Sequence, residues 1–548
     1  MFLSRNVKNT LFGICLTGVL LFTGTPVSAR ADSFSPTVIS SAKDLVAFSD
    51  AVNRGKTYEN ETVILANDVD VSGIDFTPIG EFTSPFSFMG VFEGNGHTIE
   101  GLTILDKTHT ENNGLFGKLG GTVQNLTVKG YVQGNCCGGI TSHVVGHAQI
   151  MNCAAFVTLE ANRGGGIGDN LSTADVISCY SDSTNLGAPA LLVSYQAHLV
   201  YRCASTSYLT DVAQTTLTEG CIELADGNVD AFFAEVQELL WKDGYGPFRT
   251  WKDNAPCGEL YENDHTFRGK GTRSSPYLIS SVEDFASLRN RVNGGETFRG
   301  KHFLQTEDLD FSGIRNIPVA LYDTENTFDG TYDGGGHVMK NFKMDSLYHG
   351  GRNALFGNLS GIVKNLGMES GSIYGAFASS FAHRAKARKA TIVNCYSRLD
   401  LQGEVRAAAI TDNFTGLVVG CLYLHDTVDF PFTAYNVTTL AFSYHAGEQI
   451  ILEGTSEFEP IDCYLLSALG EGELNEKLYR NLPAVAETSG VKLSSLYHMT
   501  ENGFGEKVRL SDYSAAHYLS VYKYELIGVV ALVGAAIILA LCKDRRKP

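Results

Sequence analysis

The sequence predicts an all-β protein made of two tandem parallel β-helix domains with short capping helices. Three observations carry this. Position n matches position n+240 without a gap from Ile39 to Val128, with 29 identities over those 90 positions. Within each copy a shorter unit recurs about every 25 residues, ending in small or polar turn residues. Glycine is abundant, 58 residues against 13 prolines, with no Gly-X-Y period, so collagen is excluded and many tight corners are implied.

The elements follow in chain order. Met1–Ala31 reads as a secretory signal. Arg5 and Lys8 form its basic start, Leu11–Phe22 its apolar centre, and Val27-Ser28-Ala29 or Ala29-Arg30-Ala31 its cleavage site. The first β-helix domain spans 32–260. It opens with an amphipathic segment, Asp44–Asn53, whose Leu45, Phe48 and Val52 fall at helical spacing. Its repeats then place Leu126, Cys153, Cys179, Cys203 and Cys221 at steps of 27, 26, 24 and 18. A second helical pattern, Val229–Trp241, follows, and then a linker over 261–275. The second domain, 276–510, opens with Asp284–Asn293, repeats Leu366, Cys395 and Cys421 in the ladder slot, and has a helical pattern at Leu474–Leu482. The leading helix of each copy is expected to cap the open end of its stack, where backbone groups would otherwise be unpaired.

After a juxtamembrane stretch, 511–525, residues 526–542 are apolar or small and uncharged, and Tyr518, Tyr522 and Tyr524 precede them. Lys543, Arg545, Arg546 and Lys547 follow in the tail 543–548, which predicts one transmembrane helix with a cytoplasmic C-terminus and the body outside the cell membrane. Each end carries a charge of +3, so the total of -18 leaves -24 on the body between them. Such acidity argues against nucleic acid as a partner, because phosphate binding needs Lys and Arg. Hydrophobic residues at 44% exclude wholesale disorder.

The chemistry-bearing residues give few signals. The ladder cysteines occupy a slot that Leu126 and Leu366 fill elsewhere. Free thiols, bridges between neighbouring coils and metal ligation all compete, and the exchange with leucine favours free thiols. Cys136-Cys137 stands outside the ladder without an assignment. Glu93 precedes His97 by four residues, as Asp333 precedes His337, which invites an acid/base pair. The surrounding turn glycines favour a structural corner instead. Asp68/Asp70 and Asp308/Asp310 offer alternating oxygen ligands for Ca²⁺, but the rest of a known binding loop is missing, so turn hydrogen bonding is the favoured role. Trp241 and Trp251 suit either ligand stacking or packing under a cap, with packing favoured. No HExxH, GxSxG or GxxxxGK[ST] signature occurs, and neither a catalytic residue nor a cofactor is expected.

Two blocks carry a resemblance. Gly90, Gly94, Gly96 and His97 recur as Gly330, Gly334, Gly336 and His337; Asn113, Gly114, Leu115, Phe116 and Gly117 recur as Asn353, Ala354, Leu355, Phe356 and Gly357. With the lead-in Thr77-Pro78-Ile79-Gly80, these blocks resemble the GLUG-motif repeats of bacterial cell-surface, adhesin-like proteins. The resemblance implies a right-handed parallel β-helix used for surface presentation or binding. The second copy departs from it at Ala354 and at Pro318-Val319-Ala320. The family's link to metallopeptidases is not carried over, since no HExxH is present. The expected partners are an extracellular glycan or host protein, and the membrane through the C-terminal helix. A glycan lyase or hydrolase and a non-binding spacer are the rival readings.

Overall fold

The computed structural model describes residues 37–509 apart from 187, 190, 211–216, 225–227, 247, 262, 264, 323, 346–350, 388, 426–432, 436–438, 446–460 and 471. The expected signal, 1–31, and the expected membrane span, 526–542, lie outside the described residues. No helix among the described residues is long and apolar enough to cross a membrane.

Parallel β-sheet dominates. In the first half, strands at 37–39, 63–65, 91–93, 122–124, 149–151, 175–177, 199–201 and 217–219 pair in parallel, each with its neighbour in the next repeat unit. From 122 onward their register advances by the same 27, 26, 24 and 18 residues that separate the ladder positions in the sequence. The second half repeats this as a seven-stranded parallel sheet running from Tyr277–Ile279 to Thr439–Ala441.

From the strands at 122–124 and 362–364 onward, each strand of the series is followed by a corner in the left-handed backbone region. Asn125, Asn152, Ser178, Arg202 and Gly220 hold φ between 51° and 65° in the first half; Asn365, Asn394, Gly420, Phe442 and Asp462 hold 50° to 63° in the second. Asparagine and glycine adopt this conformation at the least cost. The asparagines also join neighbouring units. Asn152 Nδ2 donates to Asn125 Oδ1 (2.9 Å) and Asn394 Nδ2 to Asn365 Oδ1 (2.8 Å). The residue after each corner points inward, and Leu126, Cys153, Cys179, Cys203, Leu366, Cys395 and Cys421 are fully buried.

The strands are apolar on both faces because both are covered. Ile150, Val176 and Val200 enter the main core of the first half, whereas Met151, Ile177 and Tyr201 pack under a helix, α2 (Val229–Asp243), through Phe233, Val236 and Leu240. The second half repeats the arrangement. Ile392, Val418 and Leu440 face its core, while Val393, Val419 and Ala441 pack under Leu482 and Val485 of α4 (Glu473–Ser489). These two helices therefore lie along the sheet. The sequence pattern of α4 stops at Leu482 because Pro483 follows, yet the helix continues through it. Burial of Val485 and Ala486 outweighs the backbone hydrogen bond that proline removes.

The leading helices are α1 (Ala42–Asn53) and α3 (Val282–Asn293). Both begin two residues earlier than the apolar spacing suggests, because Ser41 and Ser281 are the N-caps, accepting from the N–H groups of Asp44 and Asp284. Leu45, Phe48 and Val52 enter the first core, and Phe285, Leu288 and Val292 the second. The expected linker is partly tied down: Phe267 packs on the rings of Tyr277 and Phe303, and His265 Nε2 lies 2.8 Å from Asp284 Oδ1.

All ten cysteines among the described residues are free thiols. Burial pushes Cys179 and Cys395 well above the ordinary thiol range, so they remain protonated. Cys257 alone of the ten is exposed. Alkylation read by peptide mass spectrometry should therefore label Cys257 quickly in the native chain and all ten after unfolding without reductant. Ladder cysteines that stay unlabelled after unfolding would show bridging.

Candidate ligand cleft between the two halves

The repeated motif residues lie at corners between units and in the cores. Asn125 Nδ2 and Gln124 Nε2 donate to Glu93 (3.0 and 2.7 Å), and the N–H of Asn95 donates to it as well (2.6 Å). Asp333 likewise accepts from Asn365 Nδ2 (2.7 Å) and from Lys364. The carboxylates four residues before the histidines thus brace the asparagine corner. The histidines pair elsewhere: His97 Nδ1 lies 3.2 Å from Asp68 Oδ1, and His337 Nδ1 lies 3.3 Å from Asp308 Oδ1. The Glu93–His97 and Asp333–His337 acid/base pairs, which the sequence spacing invited but did not favour, do not form. Strand register places Asp68 and Asp308 next to the histidines, whereas sequence spacing does not.

Asp68 and Asp308 also accept the N–H of Thr98 and Val338. Asp70 and Asp310 turn instead to Ser72 N–H (2.8 Å) and Ser312 N–H (2.9 Å), the turn bonding expected of Asp-x-Ser. The Ser72 bonds hold Asp70 below the usual carboxylate range; Asn341 and Ser312 do the same for Asp310. Among the described residues no group of three or more His, Cys, Asp or Glu side chains converges as a metal site.

Asn113 and Asn353 donate to the carbonyls of Gln133 (2.9 Å) and Tyr374 (2.6 Å), and Leu115, Phe116, Leu355 and Phe356 are core residues. Gly96 and Gly336 hold φ of 82° and 81°, which requires glycine. A β-carbon on Gly90, Gly94, Gly117, Gly334 or Gly357 would come within 3.0 Å of a neighbouring backbone atom. Where the second copy departs from the motif, the backbone keeps its shape. Ala320 holds φ 58° at the position of Gly80 (67°), and Ala354 is fully buried where the first copy has Gly114.

A ligand-sized cleft of about 520 Å³ lies where α2 meets α3. Trp241, Tyr245, Phe248 and Tyr261 supply aromatic surface; Gln124, Gln237, Asn290 and Asn293 supply amides. Its described lining contains no Asp, Glu, His, Lys or Arg. The two tryptophans divide the roles weighed for them. Trp251 is a packing residue, stacked on Phe233 at 3.8 Å and donating Nε1–H to Asn152 Oδ1 (2.6 Å). Trp241 lines the cleft. Of the lining aromatics the sequence singles out Trp241 alone; the others come from positions whose convergence leaves no periodic signal.

The cleft walls are held by buried charge. Asp243, at the end of α2, is fully buried and accepts from Tyr201 OH (2.8 Å), Arg315 N–H (2.9 Å) and Arg202 Nε (3.3 Å). Burial pushes its carboxyl up to about 6. Arg289 of α3, also fully buried, donates to Asn316 Oδ1 (3.0 Å) and to the Trp241 carbonyl (3.1 Å) at the C-terminal end of α2, where a cation is favoured. Asn290 Nδ2 donates to the same carbonyl (2.8 Å). These bonds fix α2 against α3, so the cleft is preformed.

No family model matches the chain, and no solved structure matches it. Part of the chain is similar to Halomucin of Haloquadratum walsbyi (strain DSM 16790 / HBSQ001), 30% identical over 186 residues. That stretch is 31% of this chain and 2% of the length of Halomucin.

Proposed function

We propose that the protein is a membrane-anchored bacterial cell-surface binding protein. Each half is a right-handed parallel β-helix of the GLUG-motif kind, and the cleft between the halves captures a neutral glycan. Left-handed corners recurring after the strands from 122 and from 362 onward, and strands advancing by a unit at each step, support the β-helix reading. The observation that carries the binding reading is the cleft lining. Flat aromatic faces match the C–H faces of sugar rings, amides match hydroxyls, and a volume of about 520 Å³ holds a small oligosaccharide. An uncharged lining favours binding over acid/base cleavage, which needs carboxylates or histidine at the bond.

The test is a glycan array probed with the purified chain, with hits assayed for cleavage. A neutral oligosaccharide is expected to bind and come back intact. Trp241→Ala should weaken binding at least about tenfold, ~1.4 kcal/mol. The α2–α3 junction should survive that change, because it uses the Trp241 carbonyl and not the indole. Cleaved product would replace this reading with the glycan-active enzyme, and no binding to any glycan or host protein would leave the spacer.

A further inference from the structure

In the second half, three arginines alternate with two aromatic rings, none of which lines the cleft, although Tyr322 lies between the lining residues Leu321 and Thr324. The order is Arg384, Tyr322, Arg352, Phe377, Arg406, with guanidinium carbons 5.5, 4.6, 4.9 and 5.1 Å from the successive ring centroids. Strand register builds the row: Arg352 pairs with Phe377, and Phe377 with Arg406, on three neighbouring parallel strands. The backbones of Arg352 and Arg406 therefore lie two strand spacings apart, ~9.6 Å. We propose that this row is a second binding site, one that takes an acidic polysaccharide, its carboxylate or sulfate groups seated on the guanidinium edges.

Four observations support this. The rings hold the guanidiniums in a row, and an arginine offers at its edge a planar fork of N–H donors that fits an oxyanion. Neither Arg352 nor Arg384 forms an ion pair among the described residues, although the chain carries 60 acidic residues against 42 basic ones. Arg406 is aimed from below: its Nε donates to Asp412 Oδ1 at 2.6 Å, and Asp412 is 2% exposed. His383 lies buried under the row, with its ring 4.6 Å from Tyr322 and 5.9 Å from Phe377. Burial pushes its imidazole down to about 4, so it adds no charge at neutral pH.

The first half provides an internal comparison. It keeps the supporting pair, with Arg163 Nε 2.6 Å from the buried Asp169 Oδ1. Register, however, puts Asn112 and Cys136 where the second half has Arg352 and Phe377. The complete row thus arose in one copy only. Its sparse cations suit a polymer with separated acidic groups. A nucleic acid strand, with a charge about every 3.4 Å, would set many unmatched phosphates against a protein of charge -18.

The test uses the full-length chain and four probes at low salt: chondroitin sulfate, hyaluronate, unmodified dextran and poly(U). At least one of the two acidic polysaccharides should bind, with affinity falling as salt rises, and their ratio distinguishes sulfate from carboxylate. Arg352→Gln and Arg384→Gln should each weaken that binding about tenfold or more, with Arg163→Gln in the first half changing it less than twofold. Arg352→Lys, which keeps charge but loses the fork, should fall between. Thermal melting of each variant separates lost binding from lost folding, and Arg384→Gln, which touches one ring only, serves if Arg352→Gln unfolds. Dextran bound as tightly as the acidic polymers, or an equal loss in Arg163→Gln, overturns the proposal. Tighter binding of poly(U) than of either acidic polysaccharide replaces it with a nucleic-acid surface. Because dextran and the acidic polymers are read separately, failure here leaves neutral-glycan capture in the cleft as a separate result.

Discussion

Replacing Asn152 by leucine should cost about 4 kcal/mol of folding stability. Asn152 is fully buried and holds φ 51° at a corner between units. Its Nδ2 donates to Asn125 Oδ1 and to the Arg249 carbonyl, both at 2.9 Å, and its Oδ1 accepts Trp251 Nε1–H at 2.6 Å. Leucine would leave these three partners short of a bond in a site closed to water, at roughly 1–3 kcal/mol each, less than additively. The left-handed corner adds about 1 kcal/mol for a residue with a branched apolar side chain. Urea unfolding checks the figure. Asn152→Gly separates the two contributions, since it relieves the corner but restores no bond, and should lose about 1 kcal/mol less than leucine. Losses below about 1 kcal/mol in both variants would mean that the asparagine ladder does not hold the units together.

Much of this construction is legible in the sequence, because corners constrain residue type. Asn125-Leu126, Asn152-Cys153, Ser178-Cys179 and Arg202-Cys203 combine a left-handed residue with an inward one, so the repeat steps read from the chain reappear as strand register. The motif glycines are legible for a related reason: close approach between units leaves no room for a β-carbon. What the sequence hides is what sits on the outer side of the strands. Met151, Ile177 and Tyr201 read as apolar positions, but nothing local shows that α2 covers them, or that Trp251 returns to bond Asn152. The partner of His97 was hidden too, since Asp68 is 29 residues away and becomes adjacent only when strands align. The cleft and the arginine row follow the same logic. Tyr322, Arg352, Phe377 and Arg406 stand about one unit apart but differ in residue type, so only the strand register shows that they form one row with Arg384.

That dependence on register makes Gly361→Ala the second change with a large expected effect, about 3 kcal/mol or more. A β-carbon there would sit far inside 3.0 Å of the Gly330 carbonyl, as one on Gly121 would against the Gly90 carbonyl in the first half. In each half the crowded atom belongs to a motif glycine, and it is already in use: Ile362 N–H donates to the Gly330 carbonyl at 2.9 Å. A flexible side chain could move aside, but a carbonyl inside a parallel ladder moves only if strands 331–333 and 362–364 separate. Overpacking of an ordinary core costs about 1–3 kcal/mol, and a backbone obstacle puts this site at the upper end or beyond. Gly361 does not hold a positive φ, so the loss would be steric and not conformational. Gly313→Ala is the control for the other cause: it has φ 75° and nothing within 4 Å of its β-carbon, so it should lose only about 1 kcal/mol. Hydrogen exchange locates the damage, with faster exchange expected first at the amides of 362–364. If Gly361→Ala unfolds no more easily than Gly313→Ala, close packing of units is not what requires glycine at this position, and the motif glycines must be explained by conformation alone.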